Sequence, residues 1–430
     1  MIKNKLILNI LVYGGVTGMS RLLPLLLLPF YLSALSIEEF GRIEVLIAFY
    51  NFIIILGSMQ LETAVQRYMY KVGNKANYTL GLCVFVFLLS MLTFIIVAIT
   101  SKQISILLFG SDIEFKNIII ISICSVLFNL STILLIYLRY AEQEKAFVLF
   151  TLSQVIVTAA VTYKLVVVNS LGNMGYVLGM MSGWIIVLML ASLLIYRNNN
   201  NINPDYTMIK QSIIFSWPQL PARFSSFFLQ FGNRFIVLSY FGSQTVAILG
   251  LATKFAAFFQ LLYIAFNMAW NPYLYKNEGD VNLEFKINKI LRIVLAFTFL
   301  SSVFIHMIGG WVIDEFFSIE YIEVKNIIIL AVLPAGLLIF KDILETGIKL
   351  SGKTKYISYS YLLSTMITVA FMILADDLNG VLLASLFGSF ALIISSWFFS
   401  EKSYSIKYDR FSLLVLTAIL IFVCYFYWGN

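Results

Sequence analysis

Long apolar runs alternate with short polar segments along almost the entire chain. A helix needs about 20 apolar residues to cross a hydrocarbon core of roughly 30 Å, and each run is close to that length. The runs are too long and continuous for barrel strands, and helices satisfy their own backbone hydrogen bonds in lipid. The pattern predicts membrane-spanning helices over residues 8–33, 43–64, 79–100, 117–138, 147–168, 174–196, 212–240, 245–273, 289–311, 326–346, 357–375, 380–400 and 411–428.

The composition indicates a membrane environment rather than an aqueous one. Hydrophobic residues make up 60% of the 430 residues, charged residues only 12%, and the mean hydropathy is +0.91. A water-soluble core cannot bury that much apolar surface, whereas a bilayer accommodates it. We therefore expect an all-α polytopic membrane protein.

The distribution of Lys and Arg among the polar segments predicts the orientation. With the N-terminus in the cytoplasm, nineteen of the 29 basic residues fall in cytoplasmic segments and four fall outside. This bias alternates from loop to loop, as the positive-inside rule requires. The net charge of +7 reflects the bias, and we expect no nucleic-acid partner.

One hydrophilic segment, Arg197–Gln211, follows the sixth predicted span and contains four consecutive asparagines. It separates the first twelve spans into two halves of similar length. We therefore predict two six-helix bundles related by a pseudo-twofold repeat, with an extra helix at the C-terminus. The predicted boundaries are 1–196 for the first bundle, 197–211 for a cytoplasmic linker, 212–400 for the second bundle and 401–430 for the extra transmembrane segment.

Six basic side chains lie inside predicted spans. A Lys or Arg at the bilayer centre costs roughly 2.5–3.5 kcal/mol on insertion scales. These side chains must therefore snorkel, pair or line a wet cavity, and a cavity lined by cations favours an anionic passenger. The six residues are Arg21, Lys164, Arg223, Arg234, Lys254 and Lys341.

Prolines accompany two of these cations at matching places in the two halves. Proline removes an intrahelical hydrogen bond and bends the helix, so both helices should be interrupted near Arg21 and Arg223. Interrupted helices at corresponding positions of two repeats mark the binding site of many transporters. The alternative is that prolines are simply common in membrane helices. The prolines are Pro24 and Pro29 in span one, and Pro218 and Pro221 in span seven.

Several stretches of the chain resemble the O-antigen flippases, in the polysaccharide exporter branch of the multidrug/oligosaccharidyl-lipid/polysaccharide superfamily. The similarity is a diffuse pattern over roughly residues 8–400 rather than a chemical fingerprint. The stretches that carry it are LLPLLLLPFY at Leu22–Tyr31, SIEEFG at Ser36–Gly41, GSMQLETAVQRY at Gly57–Tyr68, the loops Arg139–Phe147 and Ser351–Tyr356, and NRFIVLSYFGSQTVAILGLATK at Asn233–Lys254.

This resemblance implies two six-helix bundles around a central cavity that opens alternately to each side of the bacterial inner membrane. It also implies an undecaprenyl pyrophosphate passenger that carries one oligosaccharide repeat unit. Two features depart from the family pattern. Asn233 replaces the Asp that relatives often carry before the Arg, which weakens a proton-coupling role there, and a thirteenth span exceeds the more familiar twelve.

Arg21 and Arg223 are the candidate ligands of the pyrophosphate, because a guanidinium offers a planar fork of donors and stays charged. The alternative is structural pairing with a carboxylate or with carbonyls freed by proline. Arg234 and Lys254 either line the exit of the cavity or snorkel to the outer headgroups. We expect Lys164 to snorkel.

Intramembrane carboxylates are the candidates for coupling transport to an ion gradient. Glu62 lies near the inner end of span two, and Asp342 and Glu345 lie near the inner end of span ten beside Lys341. Lys341 is itself a candidate cavity cation for the passenger. Lys341 and Glu345 are four residues apart, so an internal ion pair is the alternative for that cluster. No cofactor is expected, and a proton or sodium gradient is the candidate energy source.

No catalytic or metal-binding motif is recognisable in the loops. His306 is the only histidine, so no zinc site can be assembled around it, and we expect a packed helix residue. The sequence therefore predicts a transporter rather than an enzyme. Its expected partners are the lipid-linked oligosaccharide, membrane lipid, and the polymerase and chain-length proteins of the same pathway, with the chain itself a monomer.

Three other functions remain open at this point. A drug/cation antiporter would need an acidic cavity, whereas the six intramembrane bases outnumber three acids. A flippase for a lipid-linked peptidoglycan precursor has fourteen helices in its usual form. A membrane oligosaccharide polymerase, which is an enzyme, would carry a large external loop, and the longest predicted outer loop has only about sixteen residues.

Overall fold

The chain folds into helices that are grouped into two compact units, Met1–Phe227 and Phe228–Asn430. The prediction of an all-α polytopic fold is confirmed. The computed structural model describes residues 18, 23–198, 203, 205–277, 280–353, 355–404 and 406–428.

The N-terminal unit has ten α-helices in its described part. A π turn follows α7 at Tyr163–Val168, and a 3-10 turn joins α9 to α10 at Trp217–Gln219. The helices are α1 (Leu23–Leu32), α2 (Ile37–Ser58), α3 (Leu61–Tyr68), α4 (Lys75–Ile99), α5 (Ser101–Phe109), α6 (Phe115–Tyr140), α7 (Glu144–Thr162), α8 (Gly172–Asn198), α9 (Ile209–Ser216) and α10 (Leu220–Phe227).

The C-terminal unit begins with a π turn at Phe228–Gly232 and has eight α-helices in its described part. They are α11 (Asn233–Phe255), α12 (Ala257–Lys276), α13 (Leu283–Phe316), α14 (Val324–Leu344), α15 (Thr346–Leu350), α16 (Lys355–Ile373), α17 (Leu378–Ser403) and α18 (Arg410–Trp428).

Polar residues at the helix starts show why the elements begin where they do. Ser36 and Glu39 form a reciprocal capping box at α2, with distances of 3.2 and 2.9 Å. The Asn74 side chain accepts hydrogen bonds from the first backbone amides of α4, and Asp377 accepts one from Gly380 in α17. Such caps satisfy amides that have no partner inside the helix.

Ten helices of the described residues are long and apolar enough to cross a membrane, and three shorter apolar helices accompany them. Together they place a helix on each of the thirteen predicted spans. Span seven lies within the continuous stretch Ile209–Phe255, and span eight continues from the end of that stretch through most of α12. Gly242 separates these two spans with φ 81° and ψ 178°, a conformation that glycine adopts without a steric penalty.

The same pattern of helix pairs recurs within each unit. In the N-terminal unit α7 packs on α8, α4 on α6, α6 on α8, and α2 on α6. In the C-terminal unit the corresponding pairs are α16 with α17, α13 with α14, α14 with α17, and α11 with α14. The pairs join equivalent spans, so an internal structural repeat underlies the two units.

The contacts place the division between the units at Phe227, which differs from the predicted linker at 197–211. The reason is that α9 packs on α3 and α10 packs on α2, so the first part of span seven belongs to the N-terminal unit. Asp205, within the predicted linker, donates its amide to the carbonyl of Asn77 in α4. Gly81 permits this approach, because a Cβ there would collide with the Asp205 carbonyl.

Candidate functional site

The segment around Pro218 and Pro221 is the clearest irregularity in a predicted span. The α-helical form ends at Ser216, gives way to the 3-10 turn that contains Pro218, and resumes in α10. The Gln219 side chain donates to the carbonyl of Phe215 at 3.0 Å. Proline therefore coincides with a change of backbone form in span seven.

Arg223 lies in α10, two residues after Pro221, and its side chain is exposed. Within the part of the chain that the structure describes, it forms no ion pair or hydrogen bond. Its predicted counterpart Arg21 lies outside the described residues. Pro24 and Pro29 both lie in α1, which stays helical through them, so no break like that of span seven occurs within Leu23–Leu32.

Arg234 is buried at the start of α11, and its guanidinium forms three hydrogen bonds. It donates to the Gln230 carbonyl at 3.1 Å, to the Asn233 side chain at 3.3 Å and to the Thr253 hydroxyl at 2.9 Å. Because Asn233 and Thr253 lie on opposite sides of the Gly242 turn, the guanidinium joins the ends of spans seven and eight. This burial speaks against the second of the two alternatives for Arg234, a side chain that snorkels to the headgroups.

Two other predicted cations lie nearer the surface of their units. Lys254 is half-buried near the end of α11, and Lys164 is exposed in the π turn after α7. The exposure of Lys164 fits the expectation of a snorkelling side chain.

Lys341 is the centre of a buried charge network in the C-terminal unit. Its ammonium lies 3.0 Å from Asp342 Oδ1 and 3.0 Å from Glu345 Oε1, so the ion pair expected from the four-residue spacing is present. Lys349 approaches the same carboxylates at 3.6 and 3.9 Å. Lys341 also donates to the Tyr361 hydroxyl at 3.3 Å. Two lysines therefore balance two carboxylates, and the three residues from α14 and its end are 2–3% exposed.

Glu62 follows an unusual backbone turn between α2 and α3. Met59 and Gln60 both have positive φ, 45° and 61°, which non-glycine residues adopt rarely. Such strain often accumulates near functional sites. Glu62 Oε2 and Gln60 Oε1 are buried and have no hydrogen-bond partner among the described residues.

His306 is half-buried in α13, and its Nδ1 has no hydrogen-bond partner among the described residues. In the same part of the chain, no group of three or more His, Cys, Asp or Glu residues could hold a metal ion.

Sequence reasoning missed two buried carboxylates of the N-terminal unit. Glu44 is fully buried in α2 and lies one residue inside the predicted span 43–64, yet it is absent from the three intramembrane acids named from the sequence. Glu114 is 3% exposed before α6 and accepts from Asn117 at 2.6 Å, Asn173 at 2.9 Å and Arg42 at 3.5 Å. No local spacing signals this cluster, because Arg42 and Asn173 are distant in sequence.

The chain is similar in sequence to a family of polysaccharide proteins and similar in fold to solved structures of transporters. The sequence pattern of the family described as "Polysaccharide biosynthesis protein" matches residues 6–278. A protein of Haemophilus influenzae (strain ATCC 51907 / DSM 11121 / KW20 / Rd), described as "Uncharacterized membrane protein", is 23% identical over 384 residues. That match covers 87% of this chain and 92% of the relative.

Two solved structures are similar over most of their length. One, "Lipid II flippase MurJ, inward closed conformation", gives a TM-score of 0.73 at 15% identity, covering 96% of this chain and 92% of that one. The other is an inward-facing multidrug resistance MATE family transporter of the MOP superfamily. It gives a TM-score of 0.69 at 13% identity, covering 90% and 94%. At these identities the similarity establishes the shared fold.

Proposed function

Because this chain belongs to the polysaccharide biosynthesis protein family, we propose that it is a flippase for an anionic lipid-linked oligosaccharide. The passenger is undecaprenyl pyrophosphate carrying one repeat unit of O-antigen or a related surface polysaccharide. It moves from the cytoplasmic to the periplasmic leaflet of the bacterial inner membrane by alternating access. The protein works as a monomer with a cytoplasmic N-terminus, beside the polymerase and chain-length proteins of the pathway.

The exposed guanidinium of Arg223 is the observation that carries this proposal. A charged side chain on a membrane helix is costly unless it meets water or a counter-ion. Arg223 has neither a carboxylate nor a hydrogen-bond partner among the described residues, so its charge is available to a ligand. A guanidinium matches the oxygens of a diphosphate with two parallel hydrogen bonds. A cationic drug, in contrast, would be repelled.

Arg21 joins Arg223 in this role, and Lys254 remains a candidate for the exit path. Arg234 and Lys341 are assigned a structural role instead, since hydrogen bonds or carboxylates already surround their charges. Fewer side chains are therefore proposed to bind the passenger than there are cations in the predicted spans.

Glu62 is the favoured coupling residue, because one of its buried oxygens has no hydrogen-bond partner among the described residues. Asp342 and Glu345 are disfavoured, because both are paired with Lys341. With a proton or sodium gradient as the energy source, Glu62→Gln should abolish gradient-driven transport at unchanged protein abundance. Transport by Glu62→Gln that still responds to the gradient would remove Glu62 from this role.

The direct test is translocation in proteoliposomes that contain the purified protein. The probe is a fluorescent oligosaccharide on undecaprenyl diphosphate, with the same oligosaccharide on the uncharged prenyl alcohol as its control. Protection of the sugar from an added glycosidase reports the leaflet. We expect the protein to accelerate translocation of the diphosphate-linked probe and to leave translocation of the uncharged control unchanged. If the protein transports a cationic dye or a peptidoglycan precursor in preference to the oligosaccharide, the proposed passenger is wrong.

Topology is tested separately by single-cysteine labelling. With a cytoplasmic N-terminus, reagents added outside the cell should label position 112 or 320 and leave position 353 unlabelled. A C-terminal reporter fusion should report the external side, with the apolar helix α18 as the proposed thirteenth span. Labelling of position 353 from outside would reverse the orientation.

A further inference from the structure

Four basic residues at one end of the N-terminal unit have no role in the proposed passenger site. Arg67 and Lys71 lie at and just after the end of α3, Lys75 begins α4, and Arg139 lies in the last turn of α6. The N-cap of α7 follows this end of α6 directly, so these elements meet at the face predicted to be cytoplasmic. We call Arg67, Lys71, Lys75 and Arg139 the rim cations.

The first two rim cations share aromatic partners. The guanidinium of Arg67 lies 4.1 Å from the ring centre of Phe215 and 5.7 Å from that of Tyr68. The Lys71 ammonium lies 5.9 Å from the same Tyr68 ring. The two rings are themselves in edge contact at 6.0 Å. Cations within about 6 Å of a ring centre are attracted by its negative face.

The other two rim cations form an adjoining group. Lys75 donates to the carbonyl of Tyr140 at 3.1 Å and lies 5.2 Å from the ring centre of Tyr70. Arg139 lies 5.9 Å from the Tyr140 ring, and the Tyr70 and Tyr140 rings are 5.3 Å apart. The Tyr70 side chain is 73% exposed, so much of its surface stays accessible.

The charges of the rim cations are not neutralised. None of the four forms an ion pair with a carboxylate in the described part of the chain. Two cations of the C-terminal unit on the same predicted side are neutralised instead, since Lys286 pairs with Asp280 at 2.6 Å and Arg292 with Asp409 at 2.7 Å. Lys355 and Lys402, by contrast, lie beside aromatic rings as the rim cations do. The positive-inside rule accounts for charge alone, and does not account for the aromatic ring that accompanies each rim cation.

We propose that the rim cations and Tyr70 form a loading surface that captures the sugar-diphosphate headgroup of the passenger before translocation. Arg67, Lys71 and Arg139 bind the diphosphate oxygens, while the exposed face of Tyr70 packs on the apolar face of the first sugar. The aromatic component favours a sugar-bearing diphosphate over the phosphate of ordinary anionic lipid, which would need cations only. This inference rests on the proposed function.

The experiment measures binding of farnesyl diphosphate-linked N-acetylglucosamine to the purified full-length protein in phosphatidylcholine nanodiscs, by microscale thermophoresis. Arg67→Gln combined with Lys71→Gln should weaken binding about ten- to a hundredfold, the range of one or two charge-assisted contacts. Tyr70→Ala should weaken it several-fold. Arg139→Gln tests the surface independently if the double variant fails to fold.

Lys355→Gln combined with Lys402→Gln is the matched control. Both lysines are exposed, and each lies near a ring of the C-terminal unit, Tyr356 at 5.6 Å and Phe398 at 6.0 Å. This control removes the same charge and should change affinity less than twofold. Equal losses in the rim and control variants would show general attraction of anions and would overturn the loading surface.

Two further arms identify the ligand and separate this proposal from the proposed function. Phosphatidylglycerol in the nanodiscs should not displace the probe from the protein. If this lipid does displace the probe and Tyr70→Ala binds the probe normally, the rim cations bind anionic lipid and the proposal is overturned. If the wild-type protein binds the probe, Arg223→Ala weakens that binding and the rim variants do not, the loading surface is overturned and the proposed function is not. No binding by the wild-type protein would overturn the loading surface and the proposed function together.

Discussion

The C-terminal end of α14 and the broken segment around α10 hold intramembrane charge in opposite environments. At α14 four charged side chains neutralise one another in a network centred on buried Lys341. At α10 a single guanidinium, Arg223, is exposed and has no partner among the described residues. The difference teaches that a cation inside a predicted span is not by itself a binding residue. Its surroundings decide whether the charge is available to a ligand.

Removing the central cation of the closed network should have the largest effect on stability. Lys341→Gln leaves Asp342 and Glu345 buried with only the more distant ammonium of Lys349 beside them. Breaking a buried pair from one side costs roughly 3–5 kcal/mol. We expect a marked loss of membrane abundance and of thermal stability, measured by fluorescence-detected size-exclusion chromatography after heating.

Lys353→Gln is the control for that prediction, since Lys353 is an exposed lysine beyond α15. It should behave as wild type. A stable Lys341→Gln protein that has lost transport would contradict the structural assignment and return Lys341 to the passenger site.

A second closed network surrounds Glu114 in the N-terminal unit, and removing its central charge should lower stability by a smaller amount. Glu114→Gln removes the charge and replaces one acceptor oxygen by a donor that faces the amides of Asn117 and Asn173. Hydrogen bonds to charged groups contribute about 1.5–3 kcal/mol. We expect a loss of that size in unfolding free energy, seen as a lower midpoint in the same heating assay.

The matched control is Glu38→Gln, because Glu38 lies 4.0 Å from the same Arg42 at an exposed position. Exposed pairs contribute about 0–1 kcal/mol, so the midpoint should barely move. Equal effects of the two substitutions would mean that burial does not strengthen the Glu114 network.

The smallest effect is expected from an ion pair at the surface of the C-terminal unit. Arg292 donates to Asp409 at 2.7 Å, and this hydrogen bond lowers the pKa of Asp409 to about 2 from its ordinary 3.8. The folded-state pKa is the lower one, so the pair stabilises the fold above about pH 4. That stabilisation disappears as the pH falls from about 4 to 2.

Arg292→Gln should therefore reduce thermal stability slightly at pH 7 and not at pH 2, which makes the variant less sensitive to acid than wild type. Lys289→Gln, an exposed neighbour on α13, should keep the wild-type acid sensitivity. The same loss of stability for Arg292→Gln at both pH values would contradict the assigned pair.

Local sequence patterns predicted much of the fold and part of the charge chemistry. Each of the thirteen apolar windows contains a helix in its described residues, because length and hydropathy alone decide whether a segment suits a bilayer. The predicted family is confirmed as well. The Lys341–Glu345 pair was predictable because residues four apart share one face of a helix.

Contacts between distant segments were beyond sequence reasoning. Arg234 was expected either to line the exit or to snorkel to the headgroups, and only the fold brings Thr253 to its guanidinium. Glu114 escaped notice because its partners Arg42 and Asn173 come from separate helices. The division of span seven between the two units likewise depends on the packing of α9 and α10, which leaves no mark in a hydropathy pattern.

The availability of the Arg223 charge is tested most directly by transport of the diphosphate-linked oligosaccharide in proteoliposomes that carry Arg223→Ala, Arg223→Lys or Lys164→Ala. Loss of a charge-assisted contact of about 1.5–3 kcal/mol should raise the half-saturating passenger concentration ten- to a hundredfold in Arg223→Ala. Arg223→Lys should recover only part of it, because an ammonium lacks the planar fork. Lys164→Ala, an exposed cation of span five, should transport normally. Wild-type transport by Arg223→Ala at normal abundance would contradict the assignment of Arg223 to the passenger.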